Sequence, residues 1–344
     1  MRHLATIQRV VSVNNVPNSN RLDVATILGW HVVVERNQFA EGDLVVFFEP
    51  DSLLPTTPPF QLLAKYGTKK SIVNNKEYVG YRLKTVRLRG QVSQGLCLPP
   101  AALGLDKDIA VGADVSAVLG VVKYEAPIPA SLAGVIKGEF PSFIPKSDEP
   151  RIQSFPDKLG QYASTTFYAT EKIDGTSVTF FLHDGELNVC SRNLNLKETE
   201  GNSYWRLAKD LGMKEKLHAL GGDIALQGEL VGEGINKNRL KVKGQKVFFF
   251  TGYNIAKGEY LSFKELMEVC KAAGVETVPV ISTDFKLPAT VDELVAYATR
   301  KSVIAPDVME EGVVFRPLEE IRDPDIGRLS FKVLNPEYLL KYEE

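Results

Sequence analysis

The chain has 344 residues, 44% of them hydrophobic and 24% charged, a composition typical of globular proteins and unlike that of disordered or fibrous chains. Its 41 basic and 43 acidic residues give a formal net charge of −2, which argues against a protein that holds nucleic acid by bulk positive charge alone. The four histidines and three cysteines show no zinc-ligand spacing and make a histidine-based triad a poor candidate, so any chemistry must depend on Lys, Arg, Asp and Glu.

The N-terminal segment MRHLATIQRVVSV alternates polar and apolar residues and lacks the continuous apolar core of a signal peptide. No apolar stretch approaches the roughly 20 residues that a membrane helix needs. The odd, scattered cysteines are typical of reduced thiols. We therefore expect a cytoplasmic monomer with no membrane contact.

Residues 1–120 form the first predicted domain, and their pattern is all-β. Short runs rich in Val, Ile and aromatic residues alternate with clusters of Asn, Pro, Gly and Asp. The predicted strands are Ala5–Val13, Asp23–Glu35, Asp43–Glu49, Glu77–Arg89 and Gln91–Leu98, with a helical excursion in Ser52–Tyr66. The segments PNSNRLDVATILGW and GDLVVFFEPDSLLP resemble the OB-fold of tRNA-binding-type domains; another small antiparallel barrel is the alternative.

Positive charge is concentrated in the first domain, which carries a net +3 against −5 for the rest of the chain. Lys65–Arg89 contains eight basic residues, one acid and three tyrosines. Basic groups neutralise phosphates and aromatic rings stack on bases, so this stretch is a candidate nucleic-acid surface. Its candidate contacts are Lys84, Arg87 and Arg89; a solvated charged hairpin is the alternative.

Residues 121–165 are predicted to be a linker because proline restricts helix and central strand alike. The prolines are Pro127, Pro129, Pro141, Pro145, Pro150 and Pro156. The final part of this stretch, IPKSDEPRIQSFP, is expected to pack against the second domain.

Residues 166–344 form the second predicted domain, of α+β class. The predicted strands are Thr166–Lys172, Ser177–Leu182, Glu186–Arg192, Ile224–Val231, Val247–Ile255, Gly312–Arg316 and Arg328–Leu334. Helical periodicity covers Ser203–Leu220, Ser262–Ala273 and Thr290–Lys301, the last two beginning with capping-box signals. Because strands adjoin one another, an antiparallel arrangement with flanking helices is favoured.

The segment YATEKIDGTSVTFFL delivers Lys172 from a strand to a turn at Gly175. An amine there is a nucleophile if nearby cations or desolvation lower its pKa from about 10.4. By itself, a K-x-D-G tetrapeptide is weak support for a nucleophilic lysine. The alternative is a solvated lysine in a hairpin.

Five further segments follow in order: SRN at 191–193, LQGELVGEG at 226–234, VFFFTGYNI at 247–255, EEGVVFRP at 310–317 and RLSFKVLN at 328–335. Together with the lysine segment they resemble the covalent nucleotidyltransferase superfamily of DNA ligases, RNA ligases and mRNA capping enzymes. The resemblance implies ATP and Mg²⁺ or Mn²⁺ as cofactors.

The resemblance also implies a role for each matching residue. The catalytic pair would be Lys172, which attacks the α-phosphate of ATP to form lysyl-AMP, and Lys332, which contacts that phosphate. Glu171 would read the adenine amino group and Arg192 would contact the ribose or the acceptor end. Glu229 would hold the ribose or metal-bound water, and Glu311 would help to hold the metal. The ring against adenine would be Tyr253, with Phe249 and Phe250 as rivals, and Val313 would cover the other face.

One position departs from the superfamily pattern. The last motif often has two lysines separated by one residue, and Ser330 stands at the earlier place. Arg328 is a candidate substitute for that charge. The departure affects the detail of the phosphate contact and not the type of chemistry.

The order of the two domains indicates which family of the superfamily the chain resembles. DNA ligases and capping enzymes characteristically place an OB domain after the last motif, whereas here only twelve residues follow Lys332 and the OB-like domain comes first. This order is similar to that of the ATP-dependent RNA ligases of the Deinococcus and Naegleria type. It implies an enzyme that joins 3′-OH and 5′-phosphate ends of RNA, with nicks in RNA-containing duplexes as the expected substrate. A DNA ligase or other polynucleotide adenylyltransferase, and a non-catalytic tRNA- or RNA-binding protein, are the alternatives.

Overall fold

The computed structural model describes residues 3–73, 76–106, 108–126 and 134–342. The chain divides into two compact units. The first comprises Met1–Ile128, Ile152–Lys158 and Pro336–Glu344, and the second comprises Pro129–Arg151 and Leu159–Asn335.

Strands dominate the first unit. In chain order they are β1 (Ala5–Asn15), β2 (Leu22–Ile27), β3 (Trp30–Glu35), β4 (Leu44–Phe48), β5 (Ser52–Pro55), β6 (Lys69–Val73), β7 (Lys76–Arg82), β8 (Thr85–Leu88), β9 (Gln91–Gln94), β10 (Leu96–Leu98) and β11 (Val122–Lys123). A 3-10 helix at Pro58–Tyr66 occupies the predicted helical excursion. The run Asp23–Glu35, predicted as one strand, is a hairpin, because Leu28 at φ 53° and Gly29 turn the chain between β2 and β3.

A bend at Gly95 brings the barrel of the first unit close to closure. The main sheet has the order β10–β4–β1–β2–β3. On the other side of Gly95, β9 lies beside β3, where the Val33 amide donates a hydrogen bond to the Ser93 hydroxyl at 2.9 Å. A Cβ added at Gly95 would lie 2.5 Å from the Phe48 carbonyl oxygen, so the bend requires glycine. This nearly closed barrel confirms the predicted all-β front domain.

Parts of the predicted linker are built into both units. In the first unit, the Gly29 amide donates to the Gln153 carbonyl at 2.8 Å and the Trp30 indole donates to the Ser154 hydroxyl at 3.3 Å. In the second unit, the side-chain amide of Gln227 donates to the Pro145 carbonyl at 2.9 Å. Residues 127–133, which include Pro127 and Pro129, lie outside the described residues.

The second unit consists of antiparallel sheets with helices. Its strands are β12 (Ile136–Glu139), β13 (Phe167–Lys172), β14 (Thr176–His183), β15 (Glu186–Cys190), β16 (Leu194–Leu196), β17 (Ile224–Gly232), β18 (Gln245–Asn254), β19 (Glu259–Tyr260), β20 (Val280–Phe285), β21 (Gly312–Pro317), β22 (Arg322–Asp323), β23 (Gly327–Arg328) and β24 (Phe331–Leu334). The α-helices of the chain are α1 (Asp157–Gln161), α2 (Ser203–Asp210), α3 (Met213–Ala219), α4 (Phe263–Ala273), α5 (Val291–Tyr297) and α6 (Pro336–Tyr342), the last of which lies in the first unit.

Two of the sheets of this unit carry the candidate site. We call the sheet β12–β16–β15–β14–β17–β18–β19 the large sheet and the sheet β20–β13–β21–β24 the small sheet. Their strand pairings are antiparallel, which confirms the predicted α+β class. None of the helices in the described ranges combines the length and the hydropathy that a membrane span requires.

Helices cover one face of the large sheet. Phe180 and Phe249 from its strands pack in one core with Trp205 of α2 and Leu217 of α3. The predicted helix Ser203–Leu220 is broken into α2 and α3 at Gly212, which has φ 61°. The capping boxes predicted for α4 and α5 are both confirmed. Since successive residues of a strand face opposite sides, the packing of Phe249 turns Phe250 to the other face.

The strand register of the small sheet positions several residues of the candidate site. Lys172, at the end of β13, pairs with Gly312, and Val314 pairs with both Thr170 and Lys332. Gly312 fits against β24 so closely that an added Cβ would lie 2.2 Å from the Val333 carbonyl oxygen. Glycine at this position therefore holds Glu311, the residue before it, at the edge of the sheet.

We predict that Gly312→Ala lowers the free energy of unfolding by roughly 1–3 kcal/mol, because the methyl group collides with rigid backbone. Gly138→Ala is the matched control, since Gly138 lies in β12 with no atom within 4 Å of an added Cβ. Urea unfolding followed by circular dichroism measures both variants. Equal stability of the two variants would show that β21 and β24 separate readily, against this account.

Candidate active site

A cavity of about 240 Å³ lies between the large and small sheets of the second unit. The small sheet and the chain before it contribute charged groups, and the large sheet contributes Glu229 and Phe250. The lining residues are Ser147, Asp148, Glu149, Thr170, Glu171, Lys172, Ile173, Gly175, Thr176, Ser177, Arg192, Glu229, Phe250, Val278, Val314, Arg316 and Lys332.

Lys172 is one of the cations that line this cavity. Its Nζ atom donates a hydrogen bond to Glu311 Oε2 at 2.6 Å, and its side chain is 25% exposed. Burial alone would lower the pKa of Lys172, but the negative charges of Glu311 and Glu229 outweigh that effect and raise it. Attack on an electrophile requires a lower pKa, a shift that nearby cations would have to supply. The carboxylates around the amine keep it protonated in this arrangement.

Glu229 approaches the lysine from the large sheet. Its Oε1 atom accepts a hydrogen bond from the Gly175 amide at 3.1 Å. Burial raises the pKa of Glu229, and the positive charge of Lys172 opposes that shift and favours the carboxylate. Gly175 lies at the turn that the sequence predicts, and glycine gives a turn backbone freedom. The structure shows another requirement: an added Cβ at Gly175 would lie 2.3 Å from the Leu230 carbonyl oxygen. Glycine at this position permits the turn that follows Lys172 to lie directly against β17.

Asp148 joins the two remaining predicted cations. Its carboxylate accepts from Lys332 Nζ at 3.2 Å and from Arg192 Nη2 at 3.1 Å. The same segment is fixed to the small sheet, because the Lys332 amide donates to the Pro150 carbonyl at 2.8 Å. Lys332 and Arg192, far apart in sequence, thus meet at one wall of the cavity.

Ser330 does not face the cavity as an isolated hydroxyl. It is fully buried and accepts a hydrogen bond from Arg316 Nε at 2.9 Å. Arg316 also donates to the Phe250 carbonyl and to Glu149, each at 2.8 Å. Burial alone would lower the pKa of Arg316, but Glu149 more than compensates and raises it. A permanent cation therefore stands beside the position of the missing motif lysine.

Arg328, the substitute considered for that lysine, has other partners. Its Nε atom donates to Glu320 Oε2 at 2.8 Å, and its guanidinium lies 3.8 Å from the centre of the Tyr260 ring. It is not among the residues that line the cavity. Arg316, which the sequence analysis did not single out, occupies the place considered for it.

Glu171 lies in the cavity wall with its carboxylate held in a fixed orientation. Its oxygens accept from the Ser302 hydroxyl at 2.5 Å and from the Val303 amide at 2.8 Å. Burial raises the pKa of Glu171, although these two hydrogen bonds oppose the shift. The Ile304 backbone amide also hydrogen-bonds to this carboxylate, and of its roughly four acceptor sites one remains for a ligand donor.

The two predicted adenine contacts, Tyr253 and Val313, lie elsewhere. Tyr253 is buried in a cluster with Phe181 and Cys190, and Val313 is fully buried without lining the cavity. Phe250 and Val314 line the cavity in their place. Strand alternation accounts for Val313, which is one position from Val314 and so faces away from the cavity. Tyr253 pairs with Ala225 on the same face of the large sheet as Glu229, but a bulge at Phe250 and the distance along the strand separate it from its rival Phe250.

The donor set near Lys172 suits a hydrated divalent cation. Within the described ranges, no three His, Cys, Asp or Glu side chains form a group that could hold an ion without further ligands. Glu229 and Glu311 supply two partly buried carboxylates that both interact with the lysine. Mg²⁺ prefers oxygen ligands and usually keeps several waters, so two carboxylates fit it when a phosphate supplies further oxygens.

The predicted nucleic-acid contacts lie in the first unit. Arg87 donates to Glu337 of α6, and Arg89, at φ 51°, lines a groove with residues 18–22. The sequence analysis singled out neither Glu337 nor this groove. Lys84 lies between β7 and β8, on the same stretch of chain.

Asp148, Glu149 and Arg316 are the residues of the site that sequence reasoning missed. The acidic pair lies in the stretch assigned to a linker, so only its charge within IPKSDEP could have drawn attention. Arg316 stands two residues after Val314 on the cavity face of β21, whereas the assignment of Val313 would have placed Phe315 on that face instead.

Comparison with known proteins agrees with this architecture. Residues 4–100 match the model of an OB-fold domain, and residues 165–334 match that of the RNA ligase family. The comparison with curated protein sequences gave no match.

Solved structures of an RNA ligase from Naegleria gruberi resemble the whole chain. The structure with PPi is 35% identical, covers 100% of this chain and 99% of its own, and superposes with a TM-score of 0.88. A lysine-to-methionine mutant with AMP and Mn and a lysine-to-alanine mutant with ATP and Mn are each 34% identical, with 99% of both chains covered and a TM-score of 0.88. The protein therefore belongs to the RNA ligase family and combines an OB-fold domain with a following ligase domain.

Proposed function

We propose that this protein is an ATP-dependent RNA ligase that seals 3′-OH and 5′-phosphate ends through a lysyl-AMP intermediate. The observation that carries the proposal is the position of Lys172, which lies in a cavity between two carboxylates and shares that cavity with Lys332. The Naegleria relatives with ATP, AMP, PPi and Mn support ATP and a divalent cation as cofactors.

In the first step, the neutral amine of Lys172 attacks the α-phosphorus of ATP. An N–P bond forms, the bond from the α-phosphorus to the oxygen that bridges it to the β-phosphorus breaks, and pyrophosphate leaves with that electron pair. The attacking nitrogen gives up one proton to water, which leaves the neutral phosphoramidate nitrogen. Mg²⁺ or Mn²⁺ held by Glu229 and Glu311 would neutralise both these carboxylates and the phosphates. Lys332 would leave its hydrogen bond to Asp148 and contact the α-phosphate instead. Once the carboxylates no longer stabilise the ammonium form, the positive surroundings favour loss of its proton.

The nucleoside of ATP would occupy the rest of the cavity. We assign Phe250 and Val314 to the two faces of adenine, since they line the cavity from the large and the small sheet respectively. Glu171 would accept a hydrogen bond from the adenine amino group, with its carboxylate oriented by Ser302 and Val303. Arg192 would contact the ribose or the acceptor end.

The second and third steps join the RNA ends. The AMP moves from Lys172 to the 5′-phosphate of RNA, and the 3′-OH then attacks that phosphate with release of AMP. We propose nicks in RNA-containing duplexes as the substrate and the basic stretch of the first unit, with Lys84, Arg87 and Arg89, as an RNA contact. Arg87 would exchange Glu337 for a phosphate, because an exposed ion pair contributes little stability.

We predict that Lys172→Ala abolishes transfer of label from ATP radiolabelled at the α-phosphate to the protein, because no other amine lies in its place. Lys264→Ala, which removes an exposed lysine of α4, is the matched control and is expected to label like the parent protein. Denaturing electrophoresis after incubation with a divalent cation measures the label. Full labelling of Lys172→Ala would refute the assignment of the nucleophile.

We predict that reversing the charge of Lys84, Arg87 and Arg89 to Glu slows end joining at least several-fold more than it slows protein adenylylation, since each contact to an RNA phosphate is lost. Sealing of nicked duplexes with RNA or DNA on the 3′-OH side is measured beside adenylylation of the same variant. Equal loss in both assays would contradict an RNA-binding role for this stretch. Equal sealing of the RNA and DNA substrates by the parent protein would favour a general polynucleotide ligase.

A further inference from the structure

A basic loop connects β17 to β18 in the second unit and has no part in the chemistry described above. We define it as residues 233–244, EGINKNRLKVKG. It carries one acid, Glu233, and the four cations Lys237, Arg239, Lys241 and Lys243. The rest of the chain after residue 120 is acidic overall, so this concentration of positive charge is unusual for the ligase domain.

The basic loop is fastened to the turn that carries the nucleophile. Asn236 Nδ2 donates to Asp174 Oδ1 at 3.1 Å and to the Gly175 carbonyl at 2.5 Å. Arg239 forms an ion pair with the same Asp174, and both side chains are largely buried. The loop therefore contacts the chain two residues beyond Lys172.

The backbone of the basic loop is strained. Asn236, Lys237 and Asn238 have φ values of 41°, 59° and 46°, and Lys241 has 54°. Left-handed conformations cost roughly 1–2 kcal/mol per residue outside glycine, and lysine lacks the local hydrogen bonding that helps asparagine. Such strain concentrates at functional sites, where the surrounding structure maintains it.

The base of the basic loop is closed by backbone contacts. The Glu233 amide donates to the Gly244 carbonyl at 2.7 Å. An added Cβ at Gly232 would lie 2.0 Å from the same carbonyl oxygen, so the two ends of the loop pass each other as closely as glycine permits. A closed and anchored loop presents its side chains in a defined arrangement.

The outward cations of the basic loop lie outside the nucleotide cavity. Lys237, Lys241 and Lys243 are exposed, and none of the loop residues lines that cavity. Neither Lys241 nor Lys243 makes a side-chain hydrogen bond or ion pair among the described residues. The positive charges of Lys241 and Lys243 therefore lie on a loop that contacts the turn after Lys172, and outside the cavity proposed for the triphosphate.

We propose that the basic loop binds backbone phosphates of the RNA strand and holds its end next to Lys172. The inference rests on the proposed function for the choice of RNA as the polyanion. It adds a contact on the ligase domain to the one proposed for the OB-fold domain. Lysine ammonium groups suit this task, since each neutralises a phosphate and releases a counterion.

The test compares Lys241→Gln/Lys243→Gln with a control pair, Lys264→Gln/Lys271→Gln, which removes the same charge from exposed positions of α4. Three quantities are measured for each full-length protein: adenylylation with ATP, affinity for a nicked RNA duplex at several salt concentrations, and sealing of that duplex. For the loop variant we expect unchanged adenylylation, weaker RNA binding and slower sealing. The slope of log affinity against log salt is expected to fall by about one to two, and to stay unchanged in the control.

Two results would overturn the proposal. An equal change of salt slope in both pairs would show that only total charge matters. A fall in adenylylation of the loop variant would place these lysines on the triphosphate instead of RNA. If the parent protein failed to adenylylate, the proposed function would fail, while a loop-dependent salt slope of RNA binding would still support the inference.

Discussion

The balance of charge around one partly buried amine, that of Lys172, governs the chemistry proposed for the second unit. Lys172 lies 2.6 Å from Glu311, with Glu229 on the opposing sheet, and these carboxylates hold it as an ammonium ion. An ammonium ion has no lone pair with which to attack phosphorus. The same contacts that make a buried lysine tolerable therefore keep it unreactive until positive charge is brought to the carboxylates. In this account the cation and the ATP phosphates switch the nucleophile on by competing for its partners.

Strand pairing creates that balance from residues far apart in sequence. Pairing of β13 with β21 places Lys172 opposite Gly312, next to Glu311, and pairing of β21 with β24 places Val314 opposite Lys332. Two close approaches, at Gly175 and Gly312, leave no room for a side chain. The chemistry and the packing are consequently inseparable here, because the residues that set the distances between charges are glycines with no charge of their own.

The sequence predicts the fold class and the order of the domains because patterns of two and of 3.6 residues are local. It also identifies Lys172, Glu229, Arg192 and Lys332, all of which line the cavity, through short motifs in a fixed order. Strand register and bulges are not local: Val314 and not Val313 faces the cavity, and a bulge at Phe250 leaves that rival of Tyr253, and not Tyr253 itself, in the cavity lining. Local sequence patterns do not reveal long-range contacts either. Asp148 was therefore assigned to a linker although its carboxylate contacts both Arg192 and Lys332. The sequence shows that Lys172 needs a lowered pKa to react, but the carboxylates that raise its pKa lie more than fifty residues away in sequence and only the fold brings them to it.

Peptide mapping by mass spectrometry tests the central claim most directly. The protein would be incubated with ATP, with and without Mg²⁺, then digested under conditions that preserve the phosphoramidate. The account predicts one added AMP, on the peptide that contains Lys172, only when the divalent cation is present. An adduct on another residue, or an adduct at Lys172 that forms equally well without the cation, would contradict the view that this lysine is a nucleophile restrained by its carboxylates.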